Sequence, residues 1–227
     1  MKFMQSVLQR RSFVTQVGGR VAAFAAALFG ARALQAQSRA RWEPERHMED
    51  DWLDKVPGKH RLVFDSTMPD GFGYALLYAG NYFANKDAYG LQDTDLAVVI
   101  VARHFATPFA FNDAMWKKYG PTISRLASFT DPKTKQAPAS NLYNLPDSGL
   151  PNRSATIDAL GKRGVQFAVC EMATKQIAEP LAAAVGGNAE NVFKELSANL
   201  VANSRLVPAG IVAVNRAQER GYAFVSA

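Results

Sequence analysis

Gly164-Val165-Gln166-Phe167-Ala168-Val169-Cys170-Glu171-Met172-Ala173-Thr174 decides the fold of this chain. Residues 165–169 are an apolar, β-branched and aromatic run, which reads as a buried strand. From Glu171 onward, Ala173, Ile177 and Leu181 recur at helical spacing and give a helix its inner face. The chain therefore switches from strand to helix at Cys170, the single cysteine among 227 residues. A thiol at such a switch lies near the positive end of a helix dipole, a position that favours the nucleophilic thiolate.

The same alternation extends in both directions. Arg61-Leu62-Val63-Phe64-Asp65-Ser66 reads as a first strand. Asp70 can cap a following helix with Phe72, Leu76, Ala79 and Phe83 on its inner face. Asp95-Leu96-Ala97-Val98-Val99-Ile100-Val101-Ala102 is continuously apolar, as a strand covered on both faces should be. A short helix is expected over 108–119 and another over 155–162, ended by Gly164. Pro180 is expected to break the helix after Cys170. Asn188 caps a helix carrying Val192, Leu196 and Leu200, and residues 204–210 read as a short strand and turn. Ile211, Val214 and Gln218 share a face of the next helix, and Tyr222-Ala223-Phe224-Val225 reads as the last strand. Five strands alternating with helices predict an α/β fold of three layers, a mostly parallel five-stranded sheet with helices on both faces.

Other segments stand outside this pattern. Residues 1–36 have the layout of a bacterial export signal. Gln9-Arg10-Arg11-Ser12-Phe13-Val14 points to the twin-arginine route. The apolar stretch 21–31 is too short to span a bilayer as a helix. Leu34-Gln35-Ala36 offers a cleavage point and Ala31-Arg32-Ala33 a second; an uncleaved anchor is the alternative. Residues 37–59 read as a charged N-terminal extension over the domain surface, anchored by Trp42 and Trp52. The α/β domain is expected over 60–227. Within it, residues 120–154 hold five prolines and read as an inserted loop with one or two helical turns near 122–129. A loop of that length suggests a flap near the site.

Charge narrows the function classes. The chain carries 26 Lys and Arg against 20 Asp and Glu, a formal +6. Lys2, Arg10, Arg11, Arg20 and Arg32 fall in residues 1–36, which have no acidic residue. Removing that segment leaves 21 basic against 20 acidic residues, a net +1. The basic balance belongs mostly to the signal and gives no support for a nucleic-acid partner. One cysteine cannot form an internal disulfide, so in an oxidising compartment it is buried, paired with another chain, or kept for chemistry. Neither GxGxxG nor GxxxxGK[ST] occurs, and no CxxC, HExxH or GxSxG is present, so no cofactor or metal is expected.

The site follows from topology. In an open parallel sheet, ligands bind outside the carboxyl ends of the strands. Those ends are Ser66-Thr67, Arg103-His104, Cys170-Glu171 and Pro208-Ala209-Gly210. The candidate catalytic residues are Cys170 as nucleophile, Arg103 as a cation beside it, and His104 as a cation or proton carrier. Glu171 opposes thiolate formation unless its charge is directed elsewhere.

Three motifs in order carry a resemblance. Gly164-Val165-Gln166-Phe167-Ala168-Val169-Cys170, then Val207-Pro208-Ala209-Gly210-Ile211-Val212, then Arg216-Ala217-Gln218-Glu219-Arg220-Gly221-Tyr222-Ala223-Phe224 look like the DsrE/DsrF-like family of sulfur-relay proteins. The match covers about 58–227 apart from 120–154 and includes Asn81 in the first helix. The resemblance implies an α/β sheet, a homo-oligomer, and a persulfide carried on Cys170 between a sulfur donor and a thiol partner. The residues themselves also leave open a non-catalytic binding or oligomeric protein, in which Cys170 only lines a pocket.

Overall fold

A computed structural model describes residues 43–227, so the expected export signal and Trp42 lie outside the described residues. Residues 46–227 fold together. Their centre is a sheet of β1 His60–Ser66, β2 Leu96–Ala102, β3 Gln166–Cys170, β4 Ser204–Val207 and β5 Ala223–Ser226, in the order β4-β3-β2-β1-β5. Every pairing is parallel. The helices are α1 Trp52–Lys55, α2 Pro69–Ala84, α3 Asp113–Ala127, α4 Ile157–Lys162, α5 Glu171–Val185, α6 Ala189–Ala198 and α7 Gly210–Glu219. The α/β fold expected from the alternation is the fold observed.

Strand alternation sorts the core into two layers. Val98, Ile100 and Ala102 of β2 face a large cluster that includes Phe72 and Leu76 of α2, Trp116 and Ile123 of α3, and Ala178 and Leu181 of α5. Ala97, Val99 and Val101 face the other side, against Ala213, Val214 and Ala217 of α7 and Trp52, Leu53 and Val56. Helix α5 leaves β3 on one face, and α7 leaves the neighbouring β4 on the other. Adjacent strands whose helices depart to opposite faces open a crevice at their carboxyl ends.

The break expected at Pro180 is absent, and the helix expected to end at Tyr119 runs on. Helix α3 continues through Pro121 to Ala127, and α5 continues through Pro180 to Val185. A proline inside a helix costs about 3 kcal/mol or more. In α3 that cost is offset by burial of Trp116, Tyr119, Ile123 and Ala127 along one face and by the Asn112 cap, whose side chain accepts from the Met115 N–H at 3.3 Å. In α5 the buried face is Ala173, Ala178, Leu181 and Ala182. The helix expected over 108–119 is instead a 3₁₀ helix, His104–Ala110, followed by α3.

Irregular chain after α3 packs inward. Asn141 is fully buried and its amide donates to the carbonyls of Phe109 and Phe111 at 2.7 and 3.0 Å. Tyr143, also fully buried, donates its hydroxyl to the Pro69 carbonyl at 2.7 Å. Its ring lies 5.0 Å from Phe109 and 5.5 Å from Phe72, and Phe129 lies 4.8 Å from Phe109. At Gly120 any side chain would run into the Pro138 carbonyl. The stretch 128–156 is therefore tied to the core through Phe129, Asn141, Leu142 and Tyr143, while residues 133–137 stay exposed.

The second face of the sheet is closed by chain before β1. The Arg205 guanidinium stacks 4.5 Å from the Trp52 ring. Arg220, its side chain fully buried, donates to the His47 carbonyl at 3.2 Å and to Asp54 at 3.3 Å. Tyr222 donates to the Leu53 carbonyl at 2.8 Å and is itself buried. In the edge strand β5, Phe224 is the aromatic that reaches solvent, at 45% exposure.

Candidate functional site

Arg103, His104 and Cys170 line one cleft of about 220 Å³, together with Met172, Gln176 and Ile211. It opens at the carboxyl ends of β2, β3 and β4, between the first turns of α5 and α7. The three residues that topology assigned to the site are thus brought together. Ser66 and Thr67 are not among the lining residues. They act as scaffold: the Ser66 carbonyl accepts the Arg103 N–H at 3.1 Å, and the Thr67 carbonyl accepts the Ala106 N–H at 3.2 Å.

Cys170 is both the last residue of β3 and the N-cap of α5. Its sulfur accepts the Ala173 N–H at 3.5 Å, taking one of the unpaired amides of the first helical turn. Thr174 donates its hydroxyl to the Cys170 carbonyl at 2.9 Å, fixing the same turn from below. The residue is 7% exposed. Glu171, which would oppose a thiolate, is engaged by Lys175 at 2.5 Å one turn along the helix.

Arg103 is held by a residue that sequence reasoning missed. Its Nε and Nη2 donate to the two carboxylate oxygens of Asp65 at 2.7 and 2.8 Å, a bidentate pair largely shielded from solvent. The Asp65 hydrogen bonds raise the guanidinium pKa above its ordinary value. Burial works against them, while attraction to Asp65 and to charge on Cys170 adds to the rise. The signal for Asp65 was an acidic residue inside the apolar run Leu62-Val63-Phe64-Asp65. Gly210 completes this packing, because a Cβ there would stand 2.7 Å from the Arg103 Cβ.

His104 begins the 3₁₀ helix with φ at 50°, in the left-handed region that non-glycine residues seldom occupy. Helix α7 starts at Gly210 behind Ala209, whose side chain provides no cap. Two helix N-termini and one imidazole border the cleft beside the Arg103 guanidinium, whose charge Asp65 compensates, so the helix ends are what favour a negative group there. Exposed Met172 and Ile211 stand around the mouth. Among the described residues, no group of three or more His, Cys, Asp or Glu side chains is placed to hold a metal ion. No described helix is long and apolar enough to cross a membrane.

No family model matches the chain, and no curated protein does. Among solved structures, a protein of unknown function, MTH1491, from Methanobacterium thermoautotrophicum is similar. The likeness has a TM-score of 0.39 at 14% identity and spans 74% of this chain and 100% of that one. At that level it transfers nothing about function.

Proposed function

We propose that this chain is an exported sulfur carrier of the DsrE-like kind, with Cys170 as the nucleophile. The observation that carries the reading is the seat of the sulfur: it caps α5 beside Arg103 and His104, inside a cleft that this helix N-terminus and a second one make favourable to a negative charge. The thiolate attacks the outer sulfur of a donor R–S–S–H. One S–S bond forms, another breaks, and R–S⁻ leaves. An acceptor thiolate then attacks the outer sulfur of the Cys170 persulfide and restores the Cys170 thiolate. In this reading Arg103 and His104 are assigned the stabilisation of the anions, and His104 the proton transfer.

Incubation with a sulfane-sulfur donor, followed by intact mass measurement, tests this. The expected result is a gain of one sulfur atom that disappears in Cys170→Ser. An unchanged mass would refute the reading. The apolar rim and the 7% exposure of Cys170 favour a second reading, a small-ligand-binding protein in which the thiol is only part of the wall.

The location and assembly we propose are the periplasm, reached by the twin-arginine route, and a homo-oligomer. Arg10-Arg11 supports the first. Retention of precursor in the cytoplasm after Arg10→Lys with Arg11→Lys is expected, and normal export would exclude that route. Exposed Phe224 on the edge strand β5 supports the second. Light scattering is expected to give a multiple of the protomer mass, and a monomer would count against it.

A further inference from the structure

His104 forms one wall of the cleft at Cys170. Beyond that side chain lies a second cavity of about 180 Å³. Phe105, Pro108, Leu126, Ala127, Ile177 and Pro180 form its walls. His104, Ala173 and Gln176 border both spaces, so the two are neighbouring lobes.

The lobe has a definite chemistry. Its lining contains no Asp, Glu, Lys or Arg, and apart from His104 and Gln176 every side chain is apolar. Water needs two to four polar partners to settle in a cavity, which such walls do not readily supply. The volume is on the order of six times the roughly 30 Å³ that one water occupies in the liquid, enough for a benzyl-sized group. The geometry also connects it to the sulfur. Cys170, Ala173 and Ile177 follow at helical spacing along one face of α5. At about 1.5 Å per residue, Ala173 lies about one turn from Cys170 and Ile177 about two. The thiol's cleft and the lobe thus share the Ala173 turn of α5 as a common wall.

Resting on the sulfur-carrier reading, we infer that this lobe binds the organic part of the donor, whose class is a small hydropersulfide R–S–S–H with R an uncharged alkyl or aryl group. The thiolate of Cys170 takes the outer sulfur, and R–S⁻ leaves with its apolar group still seated between Leu126 and Ile177. Inorganic polysulfide has nothing to place there.

Two thiol reagents with one leaving group test the inference. Methyl and benzyl methanethiosulfonate each transfer R–S to a thiolate and release methanesulfinate, so they differ only in R. Their rates at Cys170 are divided by their rates with free glutathione. The expected ratio favours benzyl by roughly tenfold or more, the scale on which apolar pockets discriminate. Ile177→Trp, and independently Leu126→Trp, fill the lobe from partly exposed positions and should bring the ratio towards one. A ratio of one in the unaltered protein, with Cys170 labelled, overturns the inference and leaves the carrier reading standing. If neither reagent labels Cys170, the carrier reading fails, and benzyl methyl sulfide then tests the lobe alone by NMR. Saturable binding lost in Ile177→Trp upholds the apolar site, and absence of binding overturns it.

Discussion

Two stretches of irregular chain flank α3, and they do opposite things. Before it, residues 103–112 bring Arg103 and His104 to an open cleft and leave Phe105 half exposed. After it, residues 128–156 bury Asn141 and Tyr143 completely. By composition the second stretch looks the more functional, since it is longer and richer in proline. What separates them is where their polar groups point. Asn141 and Tyr143 satisfy backbone carbonyls of Phe109, Phe111 and Pro69, whereas His104 borders solvent and the thiol. Irregular backbone is a site only when its polar groups are left for a ligand.

Removing the anchor of the second stretch should do the most damage. Tyr143→Ala loses a buried ring and its hydroxyl bond, and a loss of about 3–5 kcal/mol in denaturant unfolding is expected, as for other aromatic truncations. A change below about 1 kcal/mol, the scale of an ordinary surface substitution, would return the stretch to the status of a flap. Asn141→Ala is expected to cost about 1–3 kcal/mol, because it strands two buried carbonyls. Stability equal to the unaltered protein would mean that water reaches Phe109 and Phe111.

How much was legible follows the same division. The sheet was legible because β2 and β3 are buried on both faces and written as unbroken apolar runs. Cys170, Arg103 and His104 were legible because parallel topology fixes which strand ends meet. Asp65 was not singled out: its role depends on register, which sets it opposite Val101 and beside the next strand's Arg103. Pro180 misled because a local penalty was weighed without the tertiary burial that offsets it. The inward packing of 128–156 was invisible because one asparagine and one tyrosine carry it over long sequence distances.

On the open side of the comparison, Asp65→Asn is the sharper probe. It weakens a part-buried bidentate pair, for which a loss of about 1.5–3 kcal/mol is expected, typical of hydrogen bonds to charged groups. It also leaves the Arg103 charge uncompensated beside the cleft. Iodoacetamide should then label Cys170 in the folded protein faster near neutral pH. An unchanged rate would show that the guanidinium does not act on the thiol.

The smallest effect concerns the chain that closes the second face. Burial, opposed by Arg61 and aided by Asp54, pushes the Tyr222 phenol up to about 12. In the unfolded chain it titrates near 10. Below about pH 10 both states keep the proton, and the phenol's contribution is fully present. As pH rises from about 10 to about 12 the unfolded phenol ionises first, and that contribution is lost progressively. Tyr222→Phe removes the donor to the Leu53 carbonyl and should cost about 1 kcal/mol near neutral pH. The variant has no phenol to ionise, so its deficit should shrink and then reverse as pH climbs through that window. Urea unfolding of both proteins at several alkaline pH values reads the difference directly. A deficit that stays constant with pH would mean that the phenol meets water in the folded state and that Leu53 does not seal it. The segment before β1 would then be a loose extension, as residues 128–156 looked by composition.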